Sequence, residues 1–109
     1  MKIFFSDYDV DIHVSADEPR EVKLNEALAE FESLPEIEGC FFGVIDEQDR
    51  VIQFIYNADG RLDVDIPLEE RQGSLCKKGV SVDECRKLVI DCEKGVRIDA
   101  ISGLEFQPW

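Results

Sequence analysis

The sequence predicts an α+β fold, in which a mainly antiparallel sheet around a three-stranded meander has two helices packed on it. Three short apolar segments follow one another in the middle of the chain, and short runs of turn-forming residues separate them, as in antiparallel hairpins. Two further segments repeat their apolar residues at helical spacing. With 109 residues, 44% of them apolar, the chain is expected to form a single domain, residues 1–109.

The first element is predicted to be a strand from Ile3 to Val14. Apolar and polar residues alternate along it, and a period of two is typical of a strand with one wet face. The apolar members are Tyr8, Val10, Ile12 and Val14, and the polar members are Asp7, Asp9, Asp11 and His13. Asp17-Glu18-Pro19 interrupts the pattern and ends the strand.

A helix is predicted next, beginning at Pro19 or at the latest at Asn25. It ends at Leu34-Pro35, because the residue before a proline avoids the helical region. Its apolar residues recur at helical spacing, as Leu24, Ala27, Leu28, Phe31 and Leu34.

The meander strands are predicted at Cys40 to Ile45, Val51 to Tyr56 and Leu62 to Ile66. The middle strand has apolar residues on both faces, so it is expected to be central and covered on both sides. Residues 67–80 contain two glycines and two lysines and are expected to form a loop.

The second helix has the clearest boundaries. Ser81 and Glu84 form a capping box at its start, and Gly95 caps its end after Lys94. Its apolar stripe consists of Val82, Cys85, Leu88, Val89 and Cys92. Short strands are predicted in the tail, at Val96 to Ile101 and Leu104 to Trp109.

Charge is the most unusual property of the composition. The chain has 25 acidic and 12 basic residues, and the whole net charge of −13 falls within residues 1–72. Such a field repels nucleic acid and anionic membranes and attracts basic proteins, so we expect no nucleic-acid or membrane partner.

The cysteines Cys40, Cys76, Cys85 and Cys92 are expected to be reduced. The N-terminus turns acidic at once, which is unlike a signal peptide, and we therefore expect a cytoplasmic location. The chain contains no C-x-x-C and one histidine, so zinc is not expected. Cys85 and Cys92 are expected to lie in the core, because they belong to the apolar stripe.

No motif indicates a catalytic residue, a metal or a cofactor. Asp7, Asp9, Asp11 and Glu18 resemble positions 1, 3, 5 and 12 of an EF-hand calcium loop, but Ile12 replaces the glycine of the sharp turn. His13 lacks a partner nucleophile, and residues 73–79 do not follow the order of a phosphate-binding loop. The chain is therefore expected not to be an enzyme.

The function that the sequence favours is non-enzymatic binding of a basic protein. In general character the chain is similar to small cytoplasmic bacterial immunity proteins, which neutralise toxins such as nucleases. If the first strand and the third meander strand share a sheet, their aspartates line one face. The expected partner-binding residues are Asp7, Asp9, Asp11, Asp63, Asp65 and Trp109. A metal-assisted enzyme that uses these aspartate rows, and a structural or regulatory subunit, remain alternatives.

Overall fold

The computed structural model of the chain describes residues 1–95 and 101–109, which contain one antiparallel sheet of eight strands and two helices. The helices are α1 (Leu24–Ser33) and α2 (Val82–Glu93). The strands are β1 (Lys2–Asp7), β2 (Ile12–Val14), β3 (Arg20–Glu21), β4 (Phe41–Ile45), β5 (Val51–Tyr56), β6 (Leu62–Leu68), β7 (Gly73–Val80) and β8 (Glu105–Pro108). The predicted α+β fold is confirmed.

The strands lie side by side in the order β2-β1-β4-β5-β6-β7-β8, and the short β3 pairs with β1. The meander of β4, β5 and β6 is confirmed, and β5 is central as predicted. The prediction of a loop over residues 67–80 is wrong, because β7 continues the meander beyond β6. Its apolar residues Leu75 and Val80 pack on the core, while the intervening lysines and Gly79 hide the alternation in the sequence.

The predicted strand from Ile3 to Val14 is a hairpin instead. The chain turns at residues 8–11 and returns as β2, which pairs with β1 from Phe5 to Asp7. The turn forms because the Asp7 carboxylate accepts backbone N–H groups and because Asp11 adopts a positive φ of 57°. Aspartate tolerates that conformation better than most residues, so the alternating acids build a turn rather than a strand face.

Both helices lie on the same face of the sheet. The Phe31 ring of α1 contacts those of Phe42 and Phe54, with centroids 5.4 and 6.0 Å apart. The stripe of α2 joins the same core, where Cys85 and Val89 are fully buried. The predicted helices are confirmed: α1 ends before Pro35, and the Ser81 hydroxyl caps α2 by accepting from the backbone N–H of Glu84 at 3.2 Å.

The opposite side of the sheet is called the open face here. It carries Phe4, Ser6, His13, Phe41, Gly43, Ile45, Val51, Gln53, Ile55, Asp63, Asp65, Ser74, Cys76 and Glu105. Val51, Gln53 and Ile55 are only half-buried, so the expectation that both faces of β5 are covered is wrong. The far end of the Phe4 ring lies against Gly43, where an added Cβ would overlap it.

The tail is partly outside the described residues. Apart from Ile101, the strand predicted from Val96 to Ile101 lies outside the described residues. The strand predicted within Leu104 to Trp109 is confirmed as β8, which pairs with β7.

The contact between Phe4 and Gly43 predicts that substitutions at these two positions have coupled effects on stability. Gly43→Ala should lower the free energy of unfolding by about 1 to 3 kcal/mol, because the new methyl group displaces a packed ring. In a Phe4→Leu background, where the shorter side chain does not reach Gly43, the same change should be much milder. Urea denaturation of the wild type, both single variants and the double variant measures the coupling. Equal effects of Gly43→Ala in both backgrounds would contradict it.

Candidate functional site

The turn between β1 and β2, together with its flanking residues 7–13, forms a protruding segment that we call the hairpin tip. Asp7 Oδ1 accepts hydrogen bonds from the backbone N–H groups of Asp9 at 2.9 Å and Val10 at 3.3 Å. Asp11 Oδ1 lies 2.7 Å from Nε2 of His13. These contacts fix the turn. Its three carboxylates, those of Asp7, Asp9 and Asp11, lie within five residues of sequence.

Large apolar side chains are exposed at the same tip. Tyr8, Val10 and Ile12 have 57%, 58% and 54% of their surface exposed. This differs from the sequence prediction, which placed all three on a half-buried strand face. The Tyr8 ring lies against the His13 ring, with centroids 5.2 Å apart. Large apolar side chains that remain exposed among charged residues are more typical of protein-binding surfaces than of solvated turns.

Asp63 and Asp65 lie on the open face, at half-buried positions of β6. Asp63 Oδ1 accepts from Asn57 Nδ2 at 2.8 Å and from the backbone N–H of Gly79 at 3.2 Å. Asp65 accepts from Gln53 Nε2 at 2.7 Å and from Cys76 Sγ at 3.3 Å. All four donors are neutral, so the bonds orient the two carboxylates without cancelling their charge.

Of the five predicted aspartates, Asp7, Asp63 and Asp65 lie on strands of the sheet, whereas Asp9 and Asp11 lie in the turn, so the five do not line one face. One cross-strand row of the open face runs from His13 through Ser6, Phe41 and Ile55 to Asp63. Four strand spacings of about 4.8 Å separate its ends, which is roughly 19 Å. Asp9 and Asp11 lie beyond the first end, in the turn, whereas Asp63 and Asp65 lie near the second.

Trp109, the sixth predicted residue, is at the other edge of the sheet beyond β8. Its backbone N–H donates to the Gln72 carbonyl at 2.9 Å, and its Nε1 donates to the Ser74 hydroxyl at 3.1 Å. The side chain is 69% exposed, so it rests on the domain while most of the indole remains in solvent. It is remote from the hairpin tip.

Sequence reasoning missed Phe41 and Ile55 as surface residues. Both alternate with deeply buried neighbours, Phe42 and Phe54, and both are half-buried on the open face. An apolar residue on each side of a strand was read as a sign of two covered faces. The number of helices indicates whether one or both faces of the sheet are covered. The two helices, of ten and twelve residues, pack side by side on the face opposite Phe41 and Ile55.

The four cysteines are free and three of them are buried. Burial raises the pKa of Cys85 and of Cys92 to about 12. Burial and the hydrogen bond to Asp65 raise the pKa of the half-buried Cys76 to about 11. The thiolate is the nucleophilic form, so these three thiols are poorly suited to covalent catalysis near neutral pH.

Within residues 1–95 and 101–109, no three His, Cys, Asp or Glu side chains are grouped in a way that could hold a metal ion. No helix in this described part of the chain has both the length and the apolar character needed to cross a membrane.

Comparison with protein families, with curated proteins and with solved structures gives no significant match for this chain. Function is therefore inferred from the chain's own surface.

The Cys76–Asp65 contact predicts a change in thiol reactivity. Asp65→Asn should lower the pKa of Cys76 and speed its alkylation by iodoacetamide between pH 8 and 9, because a nearby negative charge disfavours the thiolate. Mass spectrometry of Cys76 peptides over time measures the rate, with Asp83→Asn on α2 as the matched control. An unchanged Cys76 rate in Asp65→Asn would show that this carboxylate does not suppress the thiolate.

The geometry of the hairpin tip also predicts weak affinity for divalent cations. The Asp7 oxygen that faces the turn already accepts two backbone N–H groups, and Asp11 is turned toward His13. Isothermal titration with calcium, magnesium, manganese and zinc is expected to show no stoichiometric micromolar site. Such a site, if abolished by Asp9→Asn, would support the metal-assisted alternative instead.

Proposed function

We propose that this chain is a non-enzymatic binding protein that sequesters a basic protein partner, as an acidic inhibitor of the immunity type does with a toxin. The observation that carries the proposal is the hairpin tip, where exposed Tyr8, Val10 and Ile12 lie among three aspartates. An apolar centre with a charged surround is the usual anatomy of a protein interface, and tyrosine is frequent among the residues that dominate binding energy.

Electrostatics supports a partner with a positively charged surface. Asp7, Asp9 and Asp11 repel one another at the tip, and the net charge of −13 adds a long-range field. A cationic surface would relieve the local repulsion and would be drawn toward the chain before contact. Charge complementarity of this kind raises the association rate and selects the partner, while the apolar contacts slow dissociation. We place this function in the cytoplasm, where reducing conditions suit free cysteines.

The test begins with identification of the partner by affinity capture from cells of the source organism. The captured protein is expected to be basic and to elute as salt rises. Association is then measured by biolayer interferometry with the purified partner. Asp9→Asn combined with Asp11→Asn should lower the association rate roughly 3- to 10-fold at low salt, and the difference should shrink at 1 M salt. Asparagine at position 11 keeps the positive φ accessible.

The matched control removes two charges from α2, outside the hairpin tip, as Asp83→Asn with Glu93→Gln. This variant should lower the association rate much less, because its charges lie away from the hairpin tip. Tyr8→Ser should instead raise the dissociation rate. If the tip variants and the α2 variants change the rates equally, only the overall charge matters and the proposed site is wrong.

A further inference from the structure

The open face has the features of a second contact surface that continues from the hairpin tip. His13 belongs to both, because it contacts Tyr8 and Asp11 at the tip and begins the row that ends at Asp63. Phe41 and Ile55 occupy the middle of this row and pair directly across β4 and β5. Both helices of the described chain lie on the opposite side of the sheet.

Acidic side chains lie at both ends of the row, and Lys78 of β7 lies near the second end, where it opposes the rise in the pKa of Cys76. Asp11, whose side chain is 91% exposed, lies at the first end. Asp63 and Asp65 lie near the second end, held only by neutral donors among the described residues. Among residues 1–95 and 101–109, both donors to Asp63 bond to Oδ1 and none bonds to Oδ2. A half-buried carboxylate held in this way gains most from a cation supplied by another molecule.

We propose that the open face is the docking surface for an amphipathic helix of the basic partner, which lies across the strands along the row from His13 to Asp63. This inference rests on the proposed function. A helix of about 13 residues spans the roughly 19 Å of the row at 1.5 Å per residue. Its apolar stripe contacts Phe41 and Ile55, and lysine or arginine side chains near its ends reach Asp11 and Asp63.

Charge selects this occupant over a second copy of the chain. Two copies that meet through this face would bring together molecules that each carry −13, with Asp63 and Asp65 inside the contact. The half-buried aliphatic and aromatic groups also match a helix that offers leucine or isoleucine at helical spacing, the arrangement that helix-in-groove recognition uses.

The experiment uses the full chain and a synthetic 14-residue peptide with capped ends, built from leucine and lysine at amphipathic helical spacing. A scrambled peptide of the same composition has the same charge without the apolar stripe. Binding of fluorescently labelled peptide is measured by anisotropy at low salt, and amide chemical shifts of the ¹⁵N-labelled chain locate the contact. The amphipathic peptide should bind at least about fivefold more tightly than the scrambled one, a difference near 1 kcal/mol.

Chemical shift changes are expected to concentrate at Ser6, Phe41, Ile55 and Asp63. Ile55→Ser and Asp63→Asn should each weaken binding of the amphipathic peptide several-fold, whereas Asp83→Asn on α2 should leave it unchanged. Circular dichroism and urea midpoints confirm that the variants are folded. Asp63→Asn retains the oxygen that accepts from Asn57 and Gly79, so it provides a folded variant if Ile55→Ser is too unstable.

Equal binding of the two peptides would overturn the docking surface, as would shift changes confined to the hairpin tip or to the helices. Absence of peptide binding at low salt would overturn it too. The proposed function is judged separately, from the kinetics of the Asp9 and Asp11 variants with the captured partner. If those variants bind more slowly while Ile55→Ser and Asp63→Asn leave the affinity for the partner unchanged, the hairpin tip is the site and the open face is not.

Discussion

The contact of Phe31 with Phe42 and Phe54 joins the helix layer to the centre of the sheet, and the rest of the fold is arranged around it. All three side chains are within 1% of complete burial. Because α1 and α2 pack beside each other on this one face, most of the fully buried apolar side chains of the strands point toward it. The other face is left with the intermediate positions of β4, β5 and β6, which are therefore half-buried rather than sealed.

Elements in which apolar residues recur at regular spacing were predictable from the sequence. Both helices and the meander have apolar periodicities that tertiary packing reinforces, so the predicted and observed boundaries agree closely. The hairpin tip was not predictable in this way. Its acids alternate with apolar residues as in a strand, but the Asp7 carboxylate accepts backbone N–H groups and the chain turns there. β7 was missed for a different reason. Its lysines are polar and therefore indicate a loop, but the long aliphatic part of a lysine side chain can occupy a strand position.

The candidate site was predictable only in its composition. Excess acid, and the aspartates that carry it, could be read directly from the chain. Their arrangement depends on strand order, which places the β1–β2 turn four strands from Asp63 and puts Trp109 at the opposite edge. The exposure of Tyr8, Val10 and Ile12 depends on the turn itself, and an alternating pattern predicts the reverse.

The placement of Asp63 and Asp65 has a further consequence for self-association. The neighbouring strand, Val51–Tyr56, is uncharged and, apart from Gln53, consists of β-branched and aromatic residues, the composition of segments that assemble into cross-β fibrils. Its backbone is paired on both sides by β4 and β6, so only its open face could stack on another sheet. Because the two carboxylates lie beside it, such stacking would bring like charges together, which opposes aggregation through this face.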